Sequence, residues 1–159
     1  MTSGGDMAEV TTIVSKSFEN QLPEDDKNIE NLNDLQILLV DDDADTLILI
    51  TAILEDYGVQ VRTATSVSEA LEVIKHFELD FLIIDIAIPE EDGYSLICKV
   101  RALEDTQKRK IPAIALTALD TEEARQLAFK CGFQNYLTKP LDSSELVTEI
   151  AKLLVESTY

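Results

Sequence analysis

The stretch Ile37-Leu38-Leu39-Val40-Asp41-Asp42-Asp43 decides how this chain folds. Four consecutive apolar residues predict a strand buried on both faces, and three carboxylates mark where it ends. Working outward, short apolar runs recur at Gln36–Val40, Val59–Thr63, Phe81–Ile84, Ile111–Leu116 and Asn135–Leu137. Between them, helical spacing runs over about Ala44–Tyr57, Val67–Phe77, Tyr94–Leu103, Thr121–Cys131 and Ser143–Val155. Three capping-box spacings, Ser66 to Glu69, Asp120 to Glu123 and Asp142 to Glu145, agree with the helix starts. Gly58 and Gly132 stand where helices end in a left-handed residue. Strands alternating with helices predict an α/β fold, a five-stranded parallel sheet with helices on both faces. Ligand sites in such open sheets lie beyond the carboxyl ends of the strands.

At those ends the chain places Asp41-Asp42-Asp43 after the first strand, Asp85 after the third, Thr117 after the fourth and Thr138-Lys139-Pro140 after the fifth. Clustered carboxylates repel and raise one another's pKa unless a cation compensates. Magnesium is the natural candidate, since it takes one or two carboxylates and keeps several waters. Lys139 adds a second positive charge on a mobile stem. Asp85 is then a carboxylate available as a nucleophile toward phosphorus, in a reaction that needs mainly positioning and charge neutralisation. Taken singly, each residue has a plainer reading as a helix cap, turn former or surface lysine, and Asp43 keeps its reading as a helix cap.

The conjunction resembles the CheY-like response-regulator receiver domain. The resemblance rests on Ile37 to Asp43, on Ile84-Asp85-Ile86-Ala87-Ile88-Pro89 with Asp92-Gly93 after it, on Ala113 to Ala118, and on Tyr136-Leu137-Thr138-Lys139-Pro140. It implies the strand order 2-1-3-4-5 over about Leu35 to Val155. It also implies Asp85 as phosphoacceptor, and Mg2+ held by Asp41, Asp42, Asp85 and the backbone carbonyl of Ala87. Thr117 and Lys139 would contact the phosphoryl oxygens, Thr117 and Tyr136 would form the switch, and the bond before Pro140 would be cis. The implied phosphodonor is a histidine kinase or histidine phosphotransfer protein, and the output partner is unknown. Haloacid-dehalogenase-type phosphatases also use an aspartyl nucleophile, but their second Asp falls here at Ala87, so no external turnover is expected.

The chain has 159 residues, 45% of them apolar, enough for one core. Its 13 basic and 31 acidic side chains give a formal charge of −18, which argues against direct nucleic-acid binding. No apolar run spans a bilayer and Met1 to Val10 lacks the form of a secretory signal, so the expected protein is cytoplasmic with no membrane contact. Cys98 and Cys131 lack metal-ligand spacing and read as reduced thiols. Residues 1–34, with eight acidic residues against Lys16 and Lys27, read as a flexible arm carrying a short amphipathic helix over 7–20. A receiver over 35–155 and a tail over 156–159 complete the expected organisation.

One segment holds too many apolar residues. Leu47-Ile48-Leu49-Ile50 spread over roughly 300° of a helix, whereas a core-facing stripe is a little over about 100° wide. Matching Gly58 and the acidic pair to the family pattern turns Leu49, Ile50 and Ile53 inward. Leu47 and Ile48 are left outside as an expected docking patch for a phosphodonor helix bundle. Without that partner the same patch suits self-association, so a monomer or weak homodimer is expected.

Overall fold

The structure is a computed structural model that describes residues 32–88 and 91–158. Five strands, β1 (Gln36–Val40), β2 (Gln60–Ala64), β3 (Phe81–Ile84), β4 (Ala113–Thr117) and β5 (Asn135–Thr138), form one parallel sheet in the order β2-β1-β3-β4-β5. The helices are α1 (Ala44–Asp56), α2 (Val67–His76), α3 (Gly93–Arg101), a short α4 (Thr106–Arg109), α5 (Glu122–Cys131) and α6 (Ser143–Thr158). The expected topology and all five expected helices are present.

Period-two alternation divides the apolar strand residues between two cores. Ile37, Leu39, Phe81, Ile83, Ile114 and Leu116 pack with Ile50 and Leu54 of α1 and Leu146, Val147 and Ile150 of α6. Leu38, Val40, Leu82, Ile84, Ala113 and Ala115 face the opposite way, onto Ala70 and Ile74 of α2, Leu96 and Val100 of α3 and Ala128 of α5. The helix starts follow capping chemistry: Asp43, Ser66, Asp92 and Thr121 each accept a first-turn amide, and Asp142 accepts that of Glu145. Gly58 and Gly132 take positive φ at helix ends.

Four expectations need correction. The sequence pattern leaves helix α4 unassigned, because four residues are too few for a period and none of its side chains is buried. The cap of α5 is Thr121 rather than Asp120, its hydroxyl accepting from Ala124 N–H at 3.1 Å. Leu32, which the composition break assigns to the arm, is fully buried beside α1 and α6, and Asp34 N–H donates to Gly58 O at 2.8 Å. The folded unit therefore begins before Leu35. The helix expected over 7–20 lies outside the described residues, as does Pro89.

The fourth correction concerns α1. Leu47 packs against the core with Ile53, whereas Ile48 and Leu49 are 70% and 58% exposed. Leu47, Ile50 and Leu54 follow the i, i+3, i+7 spacing, and this stripe is the one the sheet buries. Leu49 lies about 100° from Ile50, outside that stripe. The outward pair is thus Ile48 and Leu49, not Leu47 and Ile48.

Candidate functional site

The strand register brings the acidic residues together. Val40 is opposite Ile84, so Asp41 and Asp85 are the next residues on adjacent strands. The backbone ladder continues past the strand ends to hold them: Asp41 N–H donates to Ala64 O at 3.1 Å, and Asp85 N–H to Val40 O at 2.8 Å. Lys139 is held in the same way, its N–H donating to Thr117 O at 2.9 Å, with the peptide bond to Pro140 cis.

The side chains repeat one arrangement. Asp41 Oδ1 accepts Asp43 N–H at 2.9 Å, and Asp85 Oδ1 accepts Ala87 N–H at 3.0 Å. Their Oδ2 atoms share the Lys139 ammonium, at 2.7 Å from Asp41 and 3.1 Å from Asp85. Both carboxylates are buried, whereas Asp42 faces solvent. Burial pushes the Asp41 carboxyl above its ordinary range, outweighing the Lys139 and Asp43 hydrogen bonds that pull it down. Burial also works against the Lys139 ammonium, but its bonds to Asp41 and Asp85 prevail and raise it. The ion pair is thus intact on the lysine side, and Asp41 keeps an uncompensated burial cost.

Asp41, Asp42 and Asp85 each offer an oxygen within 4.8 Å of the others. Three carboxylates and one ammonium leave a formal charge of about −2, which a divalent ion balances. Each of the three offers a carboxylate oxygen, the hard donor that magnesium takes, so the set fits such an ion.

Thr117 and Tyr136 complete the surroundings. Thr117 is fully buried at the end of β4, paired in register with Thr138, and its Oγ1 receives Leu119 N–H at 3.4 Å. Tyr136 is buried too, and its hydroxyl donates to Leu119 O at 2.7 Å, which ties β5 to the loop after Thr117. Burial chiefly raises the Tyr136 phenol, so it remains a donor. Ala87, Ala118 and Leu119 are exposed around the mouth. Leu47 and Ile48 belong to α1 rather than to this cluster.

Reasoning from side chains missed two groups of contributors. The backbone N–H groups of Asp43 and Ala87 orient the two buried carboxylates, and amides carry no residue signature. Gly93, which enters the sequence pattern through its spacing after Asp85, also lets α3 approach. A Cβ there would stand 2.7 Å from Asp85 O and 2.8 Å from Ile86 Cα.

Known proteins share this fold. The family model described as the response regulator receiver domain matches residues 37–151. A 14.6 kDa protein of Leptolyngbya boryana is 44% identical over 119 residues, covering 75% of this chain and 89% of that protein. The transcriptional regulatory protein ZraR of Escherichia coli is 31% identical over 125 residues, covering 79% of this chain but only 27% of ZraR. Among solved structures, a putative response regulator from Chloroflexus aurantiacus superposes with a TM-score of 0.73 at 33% identity, covering 77% of this chain and 99% of its own. With the match spanning the sheet, all its helices up to Ala151 and every residue of the acidic cluster, the chain belongs to the response regulator receiver domain family of two-component systems.

Proposed function

We propose that this receiver takes a phosphoryl group onto Asp85, with Mg2+, from a histidine kinase or histidine phosphotransfer protein, and changes partner binding in response. The observation that carries this reading is the Lys139 ammonium bridging the buried Asp41 and Asp85, with Asp42 beside them. An Asp85 oxygen forms the new P–O bond as the donor's P–N bond breaks, and the electron pair leaves with the imidazole nitrogen. Lys139 and the Thr117 hydroxyl receive the phosphoryl oxygens. Asp41, Asp42, Asp85 and the Ala87 carbonyl would hold the magnesium ion, which supplies charge neutralisation when bound.

Thr117 and Tyr136 form the switch in this reading, because Tyr136 already grips the loop that follows Thr117. Ile48 and Leu49, exposed on α1 beyond the acidic triplet, are the docking patch for the phosphodonor. Ala87 cannot exchange protons, so the aspartyl phosphate serves as a signal and no external substrate is turned over. No helix among the described residues is long and apolar enough to cross a membrane. The acidic surface, with its formal charge of −18, does not suit direct contact with nucleic acid.

The test is incubation with acetyl phosphate and magnesium, read by intact-mass spectrometry. One phosphoryl group should be added to the parent protein and none to Asp85→Asn. Modification that survives this substitution overturns the assignment.

A further inference from the structure

Helices α3 and α5 meet along a seam that is tied at both ends. At one end the Tyr94 hydroxyl donates to Ala124 O at 2.9 Å. At the other, Arg101 donates to Gly132 O from Nε at 3.0 Å and from Nη2 at 2.8 Å. Tyr94, Cys98 and Arg101 follow the i, i+4, i+7 spacing and lie on one stripe of α3. Ala124, Ala128 and Cys131 form the matching stripe of α5. The chain's 2 cysteines therefore both lie on this seam, and the Cys98 thiol is near enough to Cys131 to help raise its pKa. Cys98 is exposed, whereas Cys131 is half-buried against the core.

We propose that Cys98 and Cys131 are a redox-responsive dithiol, which a peroxide converts to an intramolecular disulfide that staples α5 to α3. The exposed Cys98 sulfur attacks one peroxide oxygen, the O–O bond breaks, and a sulfenic acid and water result. The Cys131 sulfur then displaces the sulfenic hydroxyl, which leaves as a second water. Two thiols and one peroxide thus give one disulfide and two waters. Burial, with Cys98 adding to it, pushes the Cys131 thiol up to about 11, which makes it the resolving thiol rather than the first to react.

The consequence lies in the position of α5. It begins directly after the loop that Tyr136 holds through Leu119, so a staple at its far end restrains the helix that follows Thr117 in the chain. The dithiol does not depend on Asp85 chemistry, and either reading can fail alone.

The experiment treats the full chain with hydrogen peroxide, alkylates the remaining thiols under denaturing conditions and maps the peptides. Both thiols should disappear together, with loss of two hydrogens and a linked Cys98–Cys131 peptide pair in the monomer. Dithiothreitol should reverse the change, and Cys98→Ser should leave Cys131 fully alkylatable. Two results overturn the proposal: further oxidation of Cys98 with Cys131 still free, or disulfide-linked dimers through Cys98.

Discussion

Gly93→Ala sets two effects of opposite sign against each other. Alanine is the better helix former by about 1 kcal/mol within a helix, and by less at the first helical residue, where Gly93 stands. The added methyl group would meet Asp85 O at 2.7 Å, Ile86 Cα at 2.8 Å and Ile84 Cγ2 at 3.0 Å. Ordinary carbon contacts begin near 3.5 Å. The two nearest atoms are backbone at the end of β3, so no rotamer change relieves the overlap; α3 or the strand end must shift. Overpacking of this kind costs about 1–3 kcal/mol. The steric term exceeds the propensity term, and a net loss of about 1–2 kcal/mol is expected. For a domain of this size that lowers the melting temperature by about 3–8 °C. Urea unfolding followed by circular dichroism is the direct assay, with a lower midpoint and an unchanged slope expected. Because the displaced atoms include the Asp85 carbonyl, phosphorylation by acetyl phosphate should slow as well. A variant as stable as the parent, or more stable, would show that the close approach of α3 does not constrain the strand end.

Asp42→Asn should slow phosphorylation severely by weakening magnesium binding; equal rates with and without a chelator would exclude the metal mechanism. Ala87 and Leu119 offer no hydrogen bond to a water attacking the aspartyl phosphate, so Leu119→Glu should shorten its half-life, and an unchanged half-life refutes this. Polar replacement of both Ile48 and Leu49 should cut transfer from the cognate histidine protein at least tenfold, about 1.4 kcal/mol, while leaving acetyl phosphate labelling unchanged; a parallel fall in both rates would show only a damaged helix. Asp142 accepts from the Ser144 hydroxyl first and from Glu145 N–H second, which hold its carboxyl below the usual range. Its contribution is present above the unfolded pKa and is lost as pH falls through the lower folded value. Asp142→Ala should therefore be destabilising at neutral pH, with the difference from the parent closing below about pH 4.

Much of the fold was legible because its signals are local. Apolar strands buried on both faces need no partner to be recognised, and cap residues announce helix starts within four positions. The acidic cluster was legible for a related reason: in a parallel sheet, strand ends are neighbours whenever the strands are. Asp41 and Asp85 are 44 positions apart, yet each is the first residue after its strand, and the register brings them level. Lys139 follows β5 directly and reaches both carboxylates.

The parts that escaped were settled by contacts that have no pattern along the chain. Arg101 is a clear case. In sequence it is one more cation near a helix end, a common solvated choice. In the fold its guanidinium donates to Arg109 O at 2.8 Å and Ile111 O at 2.7 Å, as well as to Gly132 O, linking α3 to the segment before β4 and to the end of α5. Lys108 does similar work on the other side, capping α2 through Ile74 O at 2.6 Å and Phe77 O at 3.0 Å, and it stands in the short helix that periodicity could not detect. Helix α1 failed differently. Its four-residue apolar run is too wide for any one stripe, and sequence alone could not say which two would stay outside. The sheet decided this by burying Leu47 with Ile50 and Leu54, which left Ile48 and Leu49 in solvent. Exposed apolar residues are ordinary on a folded surface and cost the fold little, so stability does not explain this pair, and the comparison of the two transfer rates is what assigns or removes its docking role.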